Sequence, residues 1–281
     1  MEKNFIYTKA LKDLGISYLG SVRQSSKMKK SYERGTLTYC LYLAPWTLSG
    51  HNVCPRGEHC HEFCLNGSGH NKAALLHAID NGNDVCDSTV NASRIKKTRL
   101  FYNDRDLFMR LLVHEIRVKK KSAETLGMDF SVRINGTSDL SPELFTDPDT
   151  GLNILDLFSD VQFYDYTKVY NRIRLMKTHP NYDVTFSYDG YNDDECKRFL
   201  ENGGKVAVVF FDAKLPKFFW GYKVEDGNND DMRYFNKPST VIGLHYHITA
   251  NDYYFENGKR KYRVPDTPFV IKINDPRIEW Y

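Results

Sequence analysis

The sequence is poor in the signals that assign a chain quickly. No run of eighteen or more apolar residues occurs, which excludes an apolar membrane-spanning helix. The opening MEKNFIYTKALKDLG mixes charges of both signs and has no apolar h-region, so no secretory signal is expected. The expected compartment is the cytoplasm, the host cell's if the chain is phage-encoded, with no membrane partner. There is no Gly-x-Gly-x-x-Gly, no phosphate loop and no nucleophile elbow, which removes the common nucleotide and hydrolase signatures. No internal repeat or low-complexity tract is found. Net charge is only +3, which permits nucleic-acid contact without arguing for it.

What is present suits a folded α/β chain. The 281 residues are 41% hydrophobic and 27% charged, with 19 Tyr and 17 Phe to fill a sizeable core. There are six cysteines: Cys40, Cys54, Cys60, Cys64, Cys86 and Cys196. A cytosolic chain keeps thiols reduced, so a disulfide framework is not expected. The crowding of Cys54, Cys60 and Cys64 therefore needs another explanation.

Residues 1–35 are polar and basic and read as a loosely docked arm. TLTYCLYLAP (36–45) alternates like a strand, with Cys40 in the core. A long loop rich in Pro, Gly and Cys follows, from Trp46 to Gly69; loops of that length in compact domains are usually functional. Helical periodicity runs from Asn71 to Gly82, and a helix or helix pair covers 91–120 with Gly127 closing it. MDFSVRI (128–134), VQFYDYT (161–167), YDVTFSYDG (182–190), KVAVVFF (205–211) and TVIGLHYH (240–247) read as further strands. Helices are expected at LNILDLF (152–158), KVYNRIRLM and NDDECKRFLENGG. Six strands separated by helices imply a parallel sheet, with apolar runs suggesting burial on both faces. The expected architecture is a partial TIM-like (βα)6 barrel over 36–247, followed by an extension at 248–281 packed on it.

In such folds chemistry sits at the C-terminal ends of strands. The cysteine loop follows the first strand. Asn135, Gly136, Thr137, Ser138 and Asp139 follow the second, Asp165 and Thr167 end the third, and Ser187 and Asp189 end the fourth. Each of these alone also fits a helix cap. Asp139 and Asp165 are the candidate acid–base groups. The cysteines read Cys-x5-Cys-x3-Cys, a soft donor set suited to zinc or an iron–sulfur cluster. A zinc site needs a fourth ligand, for which His51, His59, His61 and His70 are at hand, and Cys86 could be brought back. A four-iron cluster on three cysteines leaves one iron open to a small molecule. The iron–sulfur reading is preferred and zinc is the alternative.

Several long segments resemble the phage gene-product-88 family. They are YLAPWTLSGHNVCPRGEHCHEFCLNGSG, SRIKKTRLFYNDRDLFMRLLVHEI, VRINGTSDLSPELF, VQFYDYTK, YDVTFSYDG, KVAVVFF and LPKFFWGYKVEDGNNDDMRYFNKPSTVIGL. The likeness spans roughly 36–244 and implies a bacteriophage or mobile-element protein, with no activity attached. The chain departs from the family pattern at LHYHITANDYYFENGKRKYRVPDTPFVIKI, which reads as an added hairpin. The layout also resembles radical S-adenosylmethionine enzymes, which have a six-unit partial barrel and a cysteine loop after the first strand. That likeness implies S-adenosylmethionine on the open iron, with Asn135–Asp139 contacting it. The cysteine spacing and the turn both depart from that family's usual Cys-x3-Cys-x2-Cys and Gly-Gly-Glu.

Three smaller features complete the reading. His245 and His247 fall on one strand face and read as a surface pair. EDGNNDDMR, with Asp226, Asp230, Asp231 and Arg233, reads as a solvated turn. Arg117, Lys119, Lys120 and Lys121 read as a solvated helix end. Two functions follow. One is a radical S-adenosylmethionine-like enzyme acting on a nucleotide or nucleic acid; the other is a zinc-stabilised nucleic-acid-binding protein without catalysis.

Overall fold

Polar and apolar residues alternate along the strands, and the fold follows from that alternation. A computed structural model describes residues 2–16, 18–20, 26–81, 84, 88–211, 214–263 and 265–280, with backbone alone at 2–5, 26, 69, 70, 79 and 251. Cys86 and the side chain of His70 lie outside the described residues.

The chain opens with α1 (Glu2–Leu14), β1 (Leu19–Gly20) and α2 (Ser26–Glu33), then enters β2 (Thr36–Leu41). After the cysteine loop come α3 (Gly69–Asp80), α4 (Thr89–Asn103) and α5 (Arg105–Leu126). The expected helix over 91–120 is thus a pair. It breaks at Asp104, whose side chain accepts from the Leu107 N–H and starts α5. Gly127, at φ 64°, ends α5 in the left-handed conformation that glycine adopts most readily.

Strands and helices then alternate: β3 (Asp129–Arg133), α6 (Ile154–Leu157), β4 (Gln162–Thr167), α7 (Ile173–Thr178), β5 (Tyr182–Ser187), α8 (Asp193–Glu201) and β6 (Lys205–Phe210). The chain continues through β7 (Phe218–Phe219), β8 (Tyr222–Asp226) and β9 (Thr240–His245). Strands β2, β3, β4, β5, β6 and β9 are parallel neighbours in that order. The result is a large mixed sheet. It is open among the described residues: β2 pairs outward with β1, β9 pairs outward with β8, and no closed barrel forms.

Both faces of the sheet are buried, but only one is apolar. Leu37, Tyr39 and Leu41, Val132, Phe163, Val184 and Phe186, and Val206, Val208 and Phe210 join the main core. Helix α5 lies over β3 with Phe108, Leu111, Leu112 and Ile116 at three- and four-residue spacing, while α7 packs on β5 and α8 on β6. The alternate residues form a polar face. There Thr38 meets Ser131 at 2.9 Å, and Lys205 pairs with Asp183. The runs VAVVFF and TVIGL suggested two apolar faces. The second face is instead closed by α2 and residues 227–236, whose charges match those of the strands.

The described parts of residues 1–35 are packed, not loosely docked. Ala10, Leu11 and Leu14 of α1 rest on the core, Tyr7 meets the His114 ring at 5.3 Å, and the buried Tyr18 hydroxyl donates to the Phe108 carbonyl at 2.8 Å. The lysine run is not a helix end either. Helix α5 continues beyond it to Leu126, Lys120 pairs with Asp160, and Lys119 lies 5.5 Å from the Tyr39 ring centre.

The expected hairpin is present as β10 (Tyr253–Glu256) and β11 (Lys259–Tyr262). Asn257 and Gly258 turn it with φ of 51° and 70°, the pattern of a two-residue turn matched to strand twist. The chain then returns to the sheet. β12 (Val270–Ile271) pairs with β6, and β13 (Ile278–Glu279) pairs with β7. No helix among the described residues is long and apolar enough to cross a membrane.

Candidate metal centre

The cysteine loop is organised around Trp46. Its backbone takes a φ of 51°, and its carbonyl accepts the Val53 N–H at 3.2 Å. Its ring stacks on His61 with centres 5.2 Å apart. Gly57 lies against the same ring, where a Cβ would sit 2.5 Å from the nearest ring carbon, so the loop requires glycine there.

Each of the three thiols has a defined place. The Cys54 N–H donates to Asn52 Oδ1 at 2.8 Å; its Sγ accepts from the Trp46 N–H at 3.5 Å and lies 3.9 Å from the Thr137 carbonyl. Cys60 precedes a 3-10 turn over His61–Phe63. Cys64 caps the next turn, its Sγ accepting from the Asn66 N–H at 3.5 Å. All three are half-buried.

They also lie within reach of one another's charge. Burial pushes the Cys54 thiol up to about 12; the Trp46 N–H opposes this, while Cys64, Asp139 and Cys60 add to it. Burial raises Cys64 too. The Asn66 N–H opposes it, Cys60 reinforces it, and Arg94 and Lys168 act against it. Burial alone would lower the pKa of Lys168, but Cys60 and Asp139 outweigh it and hold the ammonium raised, with a hydrogen bond to Cys60. Arg94 bonds to Asn66 and lies 4.9 Å from the Tyr42 ring centre. The donor set suits a soft metal or a cluster, and two cations offset the charge that deprotonated thiolates would bring. Among the described residues, no group of three His, Cys, Asp or Glu is placed to hold a metal ion, and the three loop cysteines are no exception.

The turn after β3 stands against this loop and is locked from within. Asn135 Nδ2 donates to the Leu140 carbonyl and to Asp165 Oδ2, each at 2.9 Å. Its Oδ1 accepts from Ser138 Oγ and the Leu140 N–H, both at 2.9 Å. Asp165 also takes the Asn135 N–H at 2.8 Å and the Tyr182 hydroxyl at 3.2 Å. Burial raises its carboxyl to about 6 against these bonds and the charges of Arg133 and Arg172. Asp139 accepts Thr167 Oγ1 at 2.8 Å and the Lys168 N–H at 2.9 Å, pairs with Arg172 at 2.8 Å, and donates its own N–H to the Val53 carbonyl. Both carboxylates thus position the turn and the loop. Asn135 and Ser138 point their polar atoms into the turn. Thr137 presents its carbonyl to Cys54 and anchors its hydroxyl on the Leu43 carbonyl at 2.6 Å. Gly136 permits the approach: a Cβ there would lie 2.5 Å from Cys40 Sγ and 2.6 Å from the Tyr42 ring.

Ser187 lies at the end of β5, where its carbonyl accepts from Asn192 Nδ2 at 3.0 Å. Beside it, a cleft of about 310 Å³ opens between Arg56 and His59 of the cysteine loop and Asp189 and Tyr191. A second cleft of about 410 Å³ is lined by Pro55, Asp139 and Arg172. The loop histidines are engaged with aromatic rings: His51 with Tyr102, His59 with Tyr191, His61 with Trp46. β9 ends at His245, so the exposed His247 is beyond the strand and strand alternation does not pair the two.

Lys168 and Arg94 were not among the expected site residues. Lys168 directly follows the strand-end Thr167, so the strand-end rule could have included it. Arg94 is in α4, where the sequence offered helical periodicity and no site signal. The stretch with Asp230, Asp231 and Arg233 is buried, not solvated. Arg133 pairs with Asp231 at 2.7 Å, Lys27 lies 3.7 Å from it, and Tyr166 donates to it at 3.2 Å. Burial would raise the Asp231 carboxyl, but Arg133, Lys27 and Arg233 hold it far below the usual carboxylate range.

Neither a curated protein nor a solved structure matches the chain. The likeness to radical S-adenosylmethionine enzymes therefore has no match of its own. The first likeness does: residues 19–253, most of the chain, match the family described as Gene product 88. The chain that carries this cysteine loop belongs to the gene product 88 family.

Proposed function

We propose that Cys54, Cys60 and Cys64 carry a four-iron iron–sulfur cluster, and that the protein is a radical S-adenosylmethionine-like enzyme acting on a nucleotide or nucleic acid. One observation carries the reading: the three thiols of the loop after β2 lie within one another's electrostatic reach, with Lys168 and Arg94 in the same field. The sequential parallel order of β2, β3, β4, β5, β6 and β9 supports a partial (βα)6 barrel layout, in which this loop lies at the reactive end. When bound, the cluster supplies one-electron chemistry at an iron that no cysteine holds.

The chain's own residues have distinct tasks. Lys168 holds Cys60 and offsets thiolate charge. Thr137 sets the position of Cys54 through its carbonyl. Asp139, tied to Arg172, Thr167 and the Val53 carbonyl, keeps the loop and the β3 turn in one register. S-adenosylmethionine would meet the backbone of Gly136–Asp139, since the Asn135 side chain is fully committed. Anaerobic purification with iron, zinc and sulfide analysis tests the proposal. Iron with matching sulfide, and S-adenosylmethionine binding that follows the iron content, are expected. Zinc without iron or sulfide would reject it and leave the zinc-stabilised nucleic-acid-binding protein.

A further inference from the structure

The β10–β11 hairpin concentrates the chain's charge. Residues 253–263 hold Lys259, Arg260, Lys261 and Arg263 against Glu256 alone, a surplus as large as the +3 of the whole chain. Aromatic residues are interleaved with these cations. Register places Tyr253 opposite Tyr262 and Phe255 opposite Arg260, so these four share one face. Phe255 is 52% exposed and Tyr262 54% exposed, although the Tyr262 ring centre lies 6.2 Å from that of Tyr253. Tyr254, Lys259 and Lys261 share the other face, with Arg263 lying 4.7 Å from the Tyr254 ring centre.

The ribbon is rigid at its base and rooted beside the cysteine loop. Asp252 accepts the Thr249 N–H and the Tyr246 hydroxyl, each at 2.6 Å. Gly67, just past Cys64, packs so closely on Thr249 that a Cβ would lie 3.2 Å from it. Helix α3 braces the ribbon: Lys72 lies 4.8 Å from the Tyr253 ring centre and donates to the Ile248 carbonyl, and Arg260 pairs with Asp80.

Lys261 pairs with Glu256 and Arg260 with Asp80, yet the ribbon keeps a net cationic surplus next to exposed rings, which fits a polyanion that also offers flat faces. We propose that the β10–β11 hairpin binds single-stranded nucleic acid, its bases stacking on Phe255 and Tyr262 on one face and its backbone crossing the ribbon's edge to Lys259, Lys261 and Arg263 on the other. A duplex hides its base faces, and an acidic protein has none, so neither matches the rings. The inference stands on the ribbon and does not rest on the cluster. If both hold, it names the substrate class presented to the loop.

The test is fluorescence anisotropy of the full chain at low salt, with labelled oligo-dT, oligo-rU, a DNA duplex and polyglutamate. Oligo-dT and oligo-rU should both bind, and the more tightly held one identifies the source. Duplex and polyglutamate should bind at least about ten-fold more weakly. Replacing both rings, Phe255→Ala with Tyr262→Ala, should weaken binding about ten-fold or more. Lys259→Gln with Lys261→Gln should flatten the log–log salt slope by about 1.4. Lys121→Gln on α5 should change nothing. These side chains are exposed, so circular dichroism and metal content should stay at wild-type levels, which separates failure of the ribbon from failure of the cluster. Absent binding of both single strands, equal binding of polyglutamate or duplex, or unchanged binding by the ring variant would overturn the proposal.

Discussion

Asn135 commits every hydrogen-bonding atom of its side chain to the turn that contains it, and its main partner is a buried carboxylate. That carboxylate, Asp165, has a measurable signature. Its folded pKa of about 6 lies above the unfolded value of about 3.9. Its contribution to stability is therefore complete below about pH 4 and is withdrawn as pH rises through about 6, by on the order of 3 kcal/mol. Asp165→Asn removes this titration. Denaturant unfolding should show the stability of wild type, relative to Asp165→Asn, falling between about pH 4 and pH 6. A difference flat in pH would contradict the assignment. Asp165 was legible as a strand-end polar residue, but its role was not. A carboxylate that will anchor a turn and one that will move a proton look the same until their partners are known. Lys168 was missed for the converse reason, because a lysine after a strand is ordinary until Cys60 is placed beside it.

At the scale of elements, the longer strands were legible because six residues suffice to show their pattern. β2, β4, β5, β6 and β9 all fall within the expected segments. β1, β7, β12 and β13 have two residues each and can display no alternation. α2 interleaves lysines with only Met28 and Tyr32 as large apolar residues, so its docking depends on partners far along the chain. The face that α2 covers was hidden for the same reason: Lys27, Arg133 and Asp231 are too far apart in sequence to suggest a network. The approach of the β3 turn to the end of β2 gives a test at this scale. Gly136→Ala would drive a methyl into Cys40 and Tyr42. Overpacking of this kind should cost about 1–3 kcal/mol, read as a lower denaturant midpoint with an unchanged slope. A variant as stable as wild type would mean that the turn stands further from β2.

For the whole molecule, the sheet separates two tasks. Its apolar face, under α5, α7 and α8, holds the chain together, while the ends of its parallel strands bring the cysteine loop, the β3 turn and Lys168 to one place. The three loop cysteines were legible from spacing and composition alone, whereas the cations around them needed the fold. Cys40 and Cys196 are fully buried and lie outside the loop sequence, which makes them internal controls. The most direct test is the absorbance spectrum of anaerobically purified protein, compared across single cysteine variants. The account predicts broad iron–sulfur absorption with about four irons per chain in wild type. It should be lost in Cys54→Ser, Cys60→Ser and Cys64→Ser and retained in Cys40→Ser and Cys196→Ser. A colourless wild type, or a colour that survives loss of the loop cysteines, would contradict it.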